Sequence, residues 1–338
     1  MSNNGTITAD DYNRILEKVE QCRFKNIDQG PEEKPLFTIN GVGVISAQAI
    51  TIVSAQKKSG KSNFCGLLAA SAIAPGHEVL GGAVRCNYDN MPILILDTEQ
   101  PLRDTQRVMR RILKTAGISA TADWEQYNMK VLNVRAVESC TDRQNILEVA
   151  VREYKPRLVI LDGLADMIES VNNEQDSRDL LAGLDAIADN YKVAIIGMIH
   201  LNPGTDKQTG WIGTMAGKKN TDTFTLKKNR NCGYFEVEHE GRGASPSNLL
   251  FRIDTAPGDE IGIYSPPNYG GYAEKVETAA RTKRRELAEQ APTPCRYTAL
   301  VQWWINAAQC SERTAKGNIR DAREEGLFVV NNGIYNRV

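Results

Sequence analysis

The run Ala55-Gln56-Lys57-Lys58-Ser59-Gly60-Lys61-Ser62 lies between an apolar, β-branched stretch, Ile50-Thr51-Ile52-Val53, and a helix-prone stretch that begins at about Lys61. The spacing is that of Gly-x-x-x-x-Gly-Lys-Ser/Thr between a strand and a helix, with alanine in place of the first glycine. Alanine costs little there if its φ is negative. In such a loop the backbone N–H groups of Lys58 to Ser62 converge at a helix N-terminus, where the dipole favours an anion. Lys61 then reaches the β- and γ-phosphates of a nucleoside triphosphate, and the Ser62 hydroxyl holds Mg²⁺. The candidate nucleotide-binding residues are Ala55, Lys58, Ser59, Gly60, Lys61, Ser62 and Asn63. ATP and Mg²⁺ are the expected ligands.

Hydrolysis needs more than a phosphate cradle. One carboxylate must complete the cation's shell and another must orient the attacking water. Leu158-Val159-Ile160-Leu161-Asp162 is an apolar stretch ending in aspartate, so Asp162 is the candidate metal-shell residue. Ile93-Leu94-Ile95-Leu96 ends in Asp97-Thr98-Glu99-Gln100-Pro101, which puts Glu99 at the carboxyl end of a second strand; Asp97 is its rival. Ligands bind at that edge of open α/β sheets.

The elements that must position these groups are legible as short apolar runs. Ile50–Val53, Ile93–Leu96, Leu158–Leu161 and Val193–Ile196 are nearly continuous in hydrophobicity, the pattern of strands buried on both faces of a parallel sheet. Helical patterns lie between them, over about Lys61–Ala74, Leu102–Ala116, Arg143–Tyr154 and Ser177–Asn190. The alternation predicts an α/β fold, a mostly parallel sheet flanked by helices. After His200 the runs Thr223–Lys227, Tyr234–His239 and Leu249–Ile253 read as shorter alternating strands, a meander extending the sheet. Tyr12, Ile15, Leu16 and Val19 mark an amphipathic helix over residues 9–24.

Composition bounds the rest. The 338 residues are 41% hydrophobic and 25% charged, ordinary for a globular chain, with a net charge of −1. No general basic field announces nucleic acid, so any such contact must be a local patch. No run of 18 apolar residues predicts a membrane span, and Met1–Gly5 lacks a signal-peptide pattern. Seven cysteines without a Cys-x-x-Cys pair suggest reduced thiols and a cytoplasmic protein, and three scattered histidines speak against structural zinc.

Residues 259–293 break the order with Ser265-Pro266-Pro267-Asn268-Tyr269-Gly270-Gly271 and a charged, helix-prone stretch from Glu274 to Gln290. Beyond it lie a helix at Tyr297–Ala308, a second over Ser311–Glu324, and a hairpin in which Phe328-Val329-Val330 and Ile334-Tyr335 flank Asn331-Asn332-Gly333. Helix, helix and hairpin make a small winged-helix domain. Its second helix separates an apolar stripe, Ala315, Ile319 and Ala322, from a basic ridge of Arg313, Lys316 and Arg320 with Arg323 beside it. A recognition helix for DNA has that division, although residues 294–338 carry only six Lys or Arg against four Asp or Glu. The expected organisation is an N-terminal helical arm (1–36), an ATPase domain (37–258), a linker (259–293) and the winged-helix domain (294–338).

With these residues in place the chain resembles the RecA/DnaB superfamily, and within it the RepA-like hexameric ATPases of plasmids, phages and mobilizable elements. The resemblance spans about residues 36–255 and rests on Phe37-Thr38-Ile39-Asn40-Gly41, Lys58–Ser62, Asp97-Thr98-Glu99, Asp162-Gly163, Ile199-His200-Leu201-Asn202 and the stretch from Gly213 to Lys219. Glu99 on the strand after the phosphate-loop helix is its more specific part. The resemblance implies a RecA-like sheet, a γ-phosphate sensor at His200 and an arginine finger at Arg242 that acts on a neighbouring subunit. Lys227, Lys228 and Arg230 are rival cations, and Glu240 departs from the lysine often found two residues before the finger. It also implies a homo-oligomer, with a hexameric ring as its form. The loop from Asn202 to Lys219 would then face single-stranded DNA with Lys207, Trp211, Lys218 and Lys219, and the 9–24 helix would pack on a neighbour or on its own domain.

The function expected is an oligomeric, ATP-hydrolysing, DNA-associated motor, a helicase or helicase-like protein of replication or mobile-element transfer. A regulatory or recombination ATPase like KaiC or RadA is a second reading. An ATP-binding winged-helix DNA-binding regulator with little turnover is a third, against which Glu99 argues.

Overall fold

The computed structural model describes residues 8–23, 34–205, 207–229, 233–266, 283–324, 326–331 and 333–337. Arg230, residues 24–33 and residues 267–282 of the 259–293 stretch lie outside them. The chain divides into two compact units: residues 1–226 with 237–249, and residues 227–236 with 250–338.

In the first unit the strands are β1 (Phe37–Ile39), β2 (Val42–Val44), β3 (Ile50–Ala55), β4 (Glu78–Val79), β5 (Val84–Cys86), β6 (Ile93–Asp97), β7 (Met129–Asn133), β8 (Leu158–Asp162), β9 (Ala194–His200) and β10 (Asp222–Lys228, shared with the second unit). The large sheet runs β10-β3-β9-β8-β6-β7, and each of these pairings is parallel. Every residue of β3 and β8 is buried, which is why both read as nearly continuous apolar runs. The helices are α1 (Ala9–Cys22), α2 (Lys61–Ile73), α3 (Leu102–Thr115), α4 (Cys140–Tyr154), α5 (Glu174–Tyr191) and α6 (Gly210–Lys219). Leu147, Val151, Leu180, Leu181 and Leu184 of α4 and α5 pack with Ile52, Val159, Leu161 and Ile195 of the sheet in one buried cluster. The mixed α/β architecture, with its mostly parallel sheet flanked by helices, is the one that the apolar runs predict.

The run after His200 does extend the sheet strand by strand, and its first strand, β10, is the parallel neighbour of β3 through Asp222–Leu226. Two features differ from the sequence reading. A four-stranded antiparallel sheet, β2-β1-β5-β4, went unrecognised because its strands are two or three residues long. The segment read as a loop through Lys219 contains α6, which carries Trp211, Lys218 and Lys219. Burial of Ile212 and Ala216 against the core cluster imposes that helix despite its glycines. On α1, Thr8 caps the first turn through Asp11 N, and Tyr12, Ile15, Leu16 and Val19 are all exposed.

The second unit holds the antiparallel pair β12 (Leu249–Asp254) and β13 (Ile263–Ser265), where Phe251 stacks on Phe235 and meets Tyr264 edge-on. Its C-terminal part is a small sheet, β14-β16-β15 (Cys295–Arg296, Ile334–Arg337, Phe328–Asn331), packed on α7 (Tyr297–Ala308) and α8 (Glu312–Glu324). Trp304, Phe328, Leu300 and the stripe Ala315, Ile319 and Ala322 form its core. Strand β11 (Phe235–Gly241) is shared by both units.

Gly163, just past β8, has φ +114°, and a Cβ there would stand 2.2 Å from Thr98 Oγ1 and 2.6 Å from Asp166 Oδ2. Gly163→Ala is expected to cost about 2–4 kcal/mol through strain and displaced neighbours. Gly183→Ala in α5 meets nothing and should gain about 0.5–1 kcal/mol. Urea midpoints of the two variants check the contrast.

Candidate nucleotide site

Parallel register brings four strand ends together. Ala55 of β3 stands opposite His200 of β9, and Asp97 of β6 stands opposite Asp162 of β8. The carboxyl edges of adjacent strands β3, β9, β8 and β6 therefore present Ala55, His200, Asp162 and Asp97 side by side, with Glu99 two residues beyond. Ala55 lies in extended backbone as the last residue of β3, which explains why alanine is accepted there. The chain then turns through Lys58 (φ +63°) and Gly60 (φ +97°) into α2. Left-handed residues before a helix start turn successive N–H groups inward, a concavity suited to phosphate.

Ser62 on the first turn of α2 donates to Asp162 Oδ2 at 2.6 Å. Hydroxyl and carboxylate oxygens at that separation suit Mg²⁺, a hard cation that takes one or two protein ligands beside substrate phosphates. Ser62 and Asp162 are the residues that would hold it. Gln100, unremarked in the sequence reading, donates from Nε2 to Asp162 Oδ2 at 2.6 Å and to Ser62 Oγ at 3.1 Å. Burial raises the Asp162 carboxyl to about 6, partly offset by the Ser62 hydrogen bond, while Asp97 and Glu99 nearby add to the rise.

Lys61 is buried and its Nζ lies 2.8 Å from His200 Nδ1. An ammonium has no lone pair, so Nδ1 accepts and the ring proton sits on Nε2. Nε2 lies 3.3 Å from Glu99 Oε1 and donates to it. Lysine, histidine and glutamate thus form one chain. Desolvation pulls the Lys61 amine below its usual range, and Glu99 and Asp162 oppose that pull. Glu99 is held below the usual carboxylate range, first by the His200 hydrogen bond.

Asp97 is used differently from Glu99. Its Oδ1 accepts from Glu99 N at 3.1 Å and Gln100 N at 2.9 Å, and its Oδ2 accepts from Thr105 Oγ1 at 2.5 Å. It shapes the turn that aims Glu99. Thr98 locks the same turn to the neighbouring strand end by donating to Asp162 O at 2.9 Å. Polar residues directly after an apolar strand were the available signal for both. Asn63 accepts from Arg111 Nη1 at 2.8 Å, and Gln56 ties the loop to Asn202 O and Thr205 O.

The other candidates stand outside this network. Arg242 is exposed after β11, and its backbone N–H donates to Thr221 O. Lys207, Trp211 and Lys218 are exposed, while the Lys219 side chain lies outside the description. Arg313, Lys316 and Arg320 are exposed on α8 of the second unit.

The family model described as "AAA domain" matches residues 15–206, more than half of the chain and the whole of this constellation. The chain belongs to that family. It therefore carries an AAA-type nucleotide-binding ATPase domain. Among solved structures, the RadB recombinase aligns at 16% identity with a TM-score of 0.45, over 66% of this chain and 93% of that one. Among curated proteins nothing matches. No described helix is long and apolar enough to cross a membrane.

Asp162 also makes stability depend on pH. Burial pushes its native carboxyl up to about 6, above the ordinary aspartate value of 3.8. Between these values the folded state keeps a proton that the unfolded state has lost, so stability falls as pH rises through the window and stays lower above it. The cost is of the order of 2–3 kcal/mol. Without nucleotide or Mg²⁺, Asp162→Asn should melt higher than wild type at pH 7.5 and lose that advantage near pH 4. Thermal melts across this range measure it; equal melting temperatures at pH 7.5 would refute it.

Proposed function

We propose that this protein is an oligomeric, ATP-hydrolysing, DNA-associated motor of the RecA-like kind, a helicase or helicase-like protein acting in replication or mobile-element transfer. The observation that carries turnover is the Lys61–His200–Glu99 chain. The anionic Glu99 is placed to orient water, and His200 links it to the lysine that meets the γ-phosphate. When the cation is bound at Ser62 and Asp162 it supplies charge stabilisation for the phosphoryl oxygens. Lys61 must then leave His200 for phosphate, and His200 keeps its Nε2 donor directed at Glu99. This arrangement favours hydrolysis over mere nucleotide-dependent DNA binding.

Arg242 is the candidate finger in trans, supported by its exposure at a strand end. The proposed ring follows from that role. DNA contact draws on Lys207, Trp211, Lys218 and Lys219 of the first unit. In the second unit it draws on Arg313, Lys316 and Arg320 of a proposed winged-helix domain over 294–338.

The test is ATPase rate against protein concentration, with and without single-stranded DNA. Turnover per subunit should rise with concentration and with DNA. Glu99→Gln should lose about 10²–10⁴-fold, as expected for removal of a general base, and Arg242→Ala about 10³-fold or more. Mixing the two inactive variants should restore part of the activity, because one interface then pairs an intact Glu99 with an intact Arg242. Turnover indifferent to concentration and DNA, with no recovery on mixing, would sink the motor.

A further inference from the structure

The basic face of α8 is not a simple ridge. Between Arg313 and Arg320 it carries Gly317, and there the surface sinks into a concavity of about 700 Å³, within the size range of small-ligand sites. Two tyrosines wall it. Tyr297, the first residue of α7, and Tyr335 of β16 lie with ring centroids 5.6 Å apart and planes 30° apart. Tyr335 is braced from behind by Phe328, edge-on at 6.2 Å, and Phe328 meets the core residue Trp304 in the same way. The wall is therefore fixed by the core of its own unit while its outer surface is in reach of solvent.

Four cations surround this aromatic wall: Arg313, Lys316, Arg320 and Arg323. Lys316 is paired with Glu312 at 2.7 Å and Arg320 with Asp321 at 3.0 Å, both at exposed positions where such pairs hold weakly. Among the described residues no acidic side chain lines the concavity itself. The ligand must then be anionic at several points and must offer a flat apolar face.

A duplex offers phosphates, but its base faces are stacked away, and a helix entering a major groove needs projecting side chains along its face. A glycine floor beside an aromatic wall has the opposite shape. An unpaired strand offers phosphodiesters beside exposed base faces, which is what aromatic and cationic groups recognise together. We propose that this concavity is a single-stranded nucleic-acid site, in which one unstacked base enters over Gly317 against Tyr297 and Tyr335 and the flanking phosphates meet the four cations. This deepens the reading of the α8 face as a DNA contact and rests on it.

Gly317 supplies a clean probe. A Cβ added there meets nothing within 4 Å, so Gly317→Glu fills the floor and adds a negative charge without disturbing the packing. Labelled oligothymidylate and a duplex of equal length are titrated against the full chain by fluorescence anisotropy, with melting temperature as the folding control. Wild type should bind the single strand more tightly than the duplex. Tyr297→Ala should weaken single-strand binding roughly 10- to 100-fold, the worth of one stacked base. Gly317→Glu should weaken it at least as much while melting no lower than wild type. Arg313→Ala and Arg323→Ala should each reduce the salt slope by about 0.7. If duplex binds as well as single strand and Gly317→Glu changes neither, the pocket is overturned while DNA contact stands. The pocket is equally overturned if single strands bind but Tyr297→Ala and Gly317→Glu leave the affinity unchanged. Binding of neither form overturns both readings.

Discussion

A carboxylate buried at the edge of a parallel sheet is the constraint on which the first unit is built. Asp162 is only 5% exposed, and ionising it there without compensation is costly. The surrounding sequence is arranged to reduce that cost without removing it. Ser62 and Gln100 both donate to the same oxygen, while Asp97 and Glu99 add negative charge nearby. The result is a site short of positive charge. A divalent cation carried in with a phosphate chain would answer that shortage, and relief of the cost of ionising Asp162 would then contribute to its binding.

The same edge divides labour between two carboxylates by environment rather than by residue type. Burial pushes Asp162 up, whereas the His200 hydrogen bond pulls Glu99 down. Groups whose titrations are driven apart in this way can take different roles at one pH. His200 is what makes the division responsive. Its two ring nitrogens face Lys61 and Glu99, so a change at the lysine alters what the histidine can offer the glutamate. A ligand that drew Lys61 away from His200 would thereby reach the group proposed to orient water through a single side chain. Asp97 and Thr98, which touch neither the lysine nor the histidine, keep Glu99 in range by fixing its turn.

How much of this could be read from the chain depended on where burial leaves a signature. The central strands were legible because both faces are covered, so Leu158–Leu161 holds no polar residue and Ile50–Val53 only the buried Thr51. The edge strand β7 was not, since Lys130 and Asn133 sit among its partly exposed positions. Helix α6 was misread because glycine and threonine usually mark loops. Here Gly210 and Gly213 serve close approach: a Cβ at the first would lie 2.3 Å from Val171 O and at the second 2.5 Å from Gln208 Cβ. Lys61, Ser62, Asp162 and Glu99 could be singled out as candidates because their order relative to strands is itself the signal. Gln100 was harder to assign, because its role follows from register between β6 and β8, which no local pattern reports.

The C-terminal part of the second unit follows a contrasting logic. There the ionisable groups stay in water, and the work of positioning falls to an apolar core of Trp304, Phe328 and Ile319. Exposed arginines contribute little to stability and so can be kept for long-range attraction, while selectivity must come from shape. The combination of Gly317 with Tyr297 and Tyr335 supplies shape at small cost, because a glycine in a helix gives up only about 1 kcal/mol relative to alanine. A helix selected for stability alone would hold alanine at that position, where there is room for it. The open floor is therefore better explained by what it admits than by what it packs against.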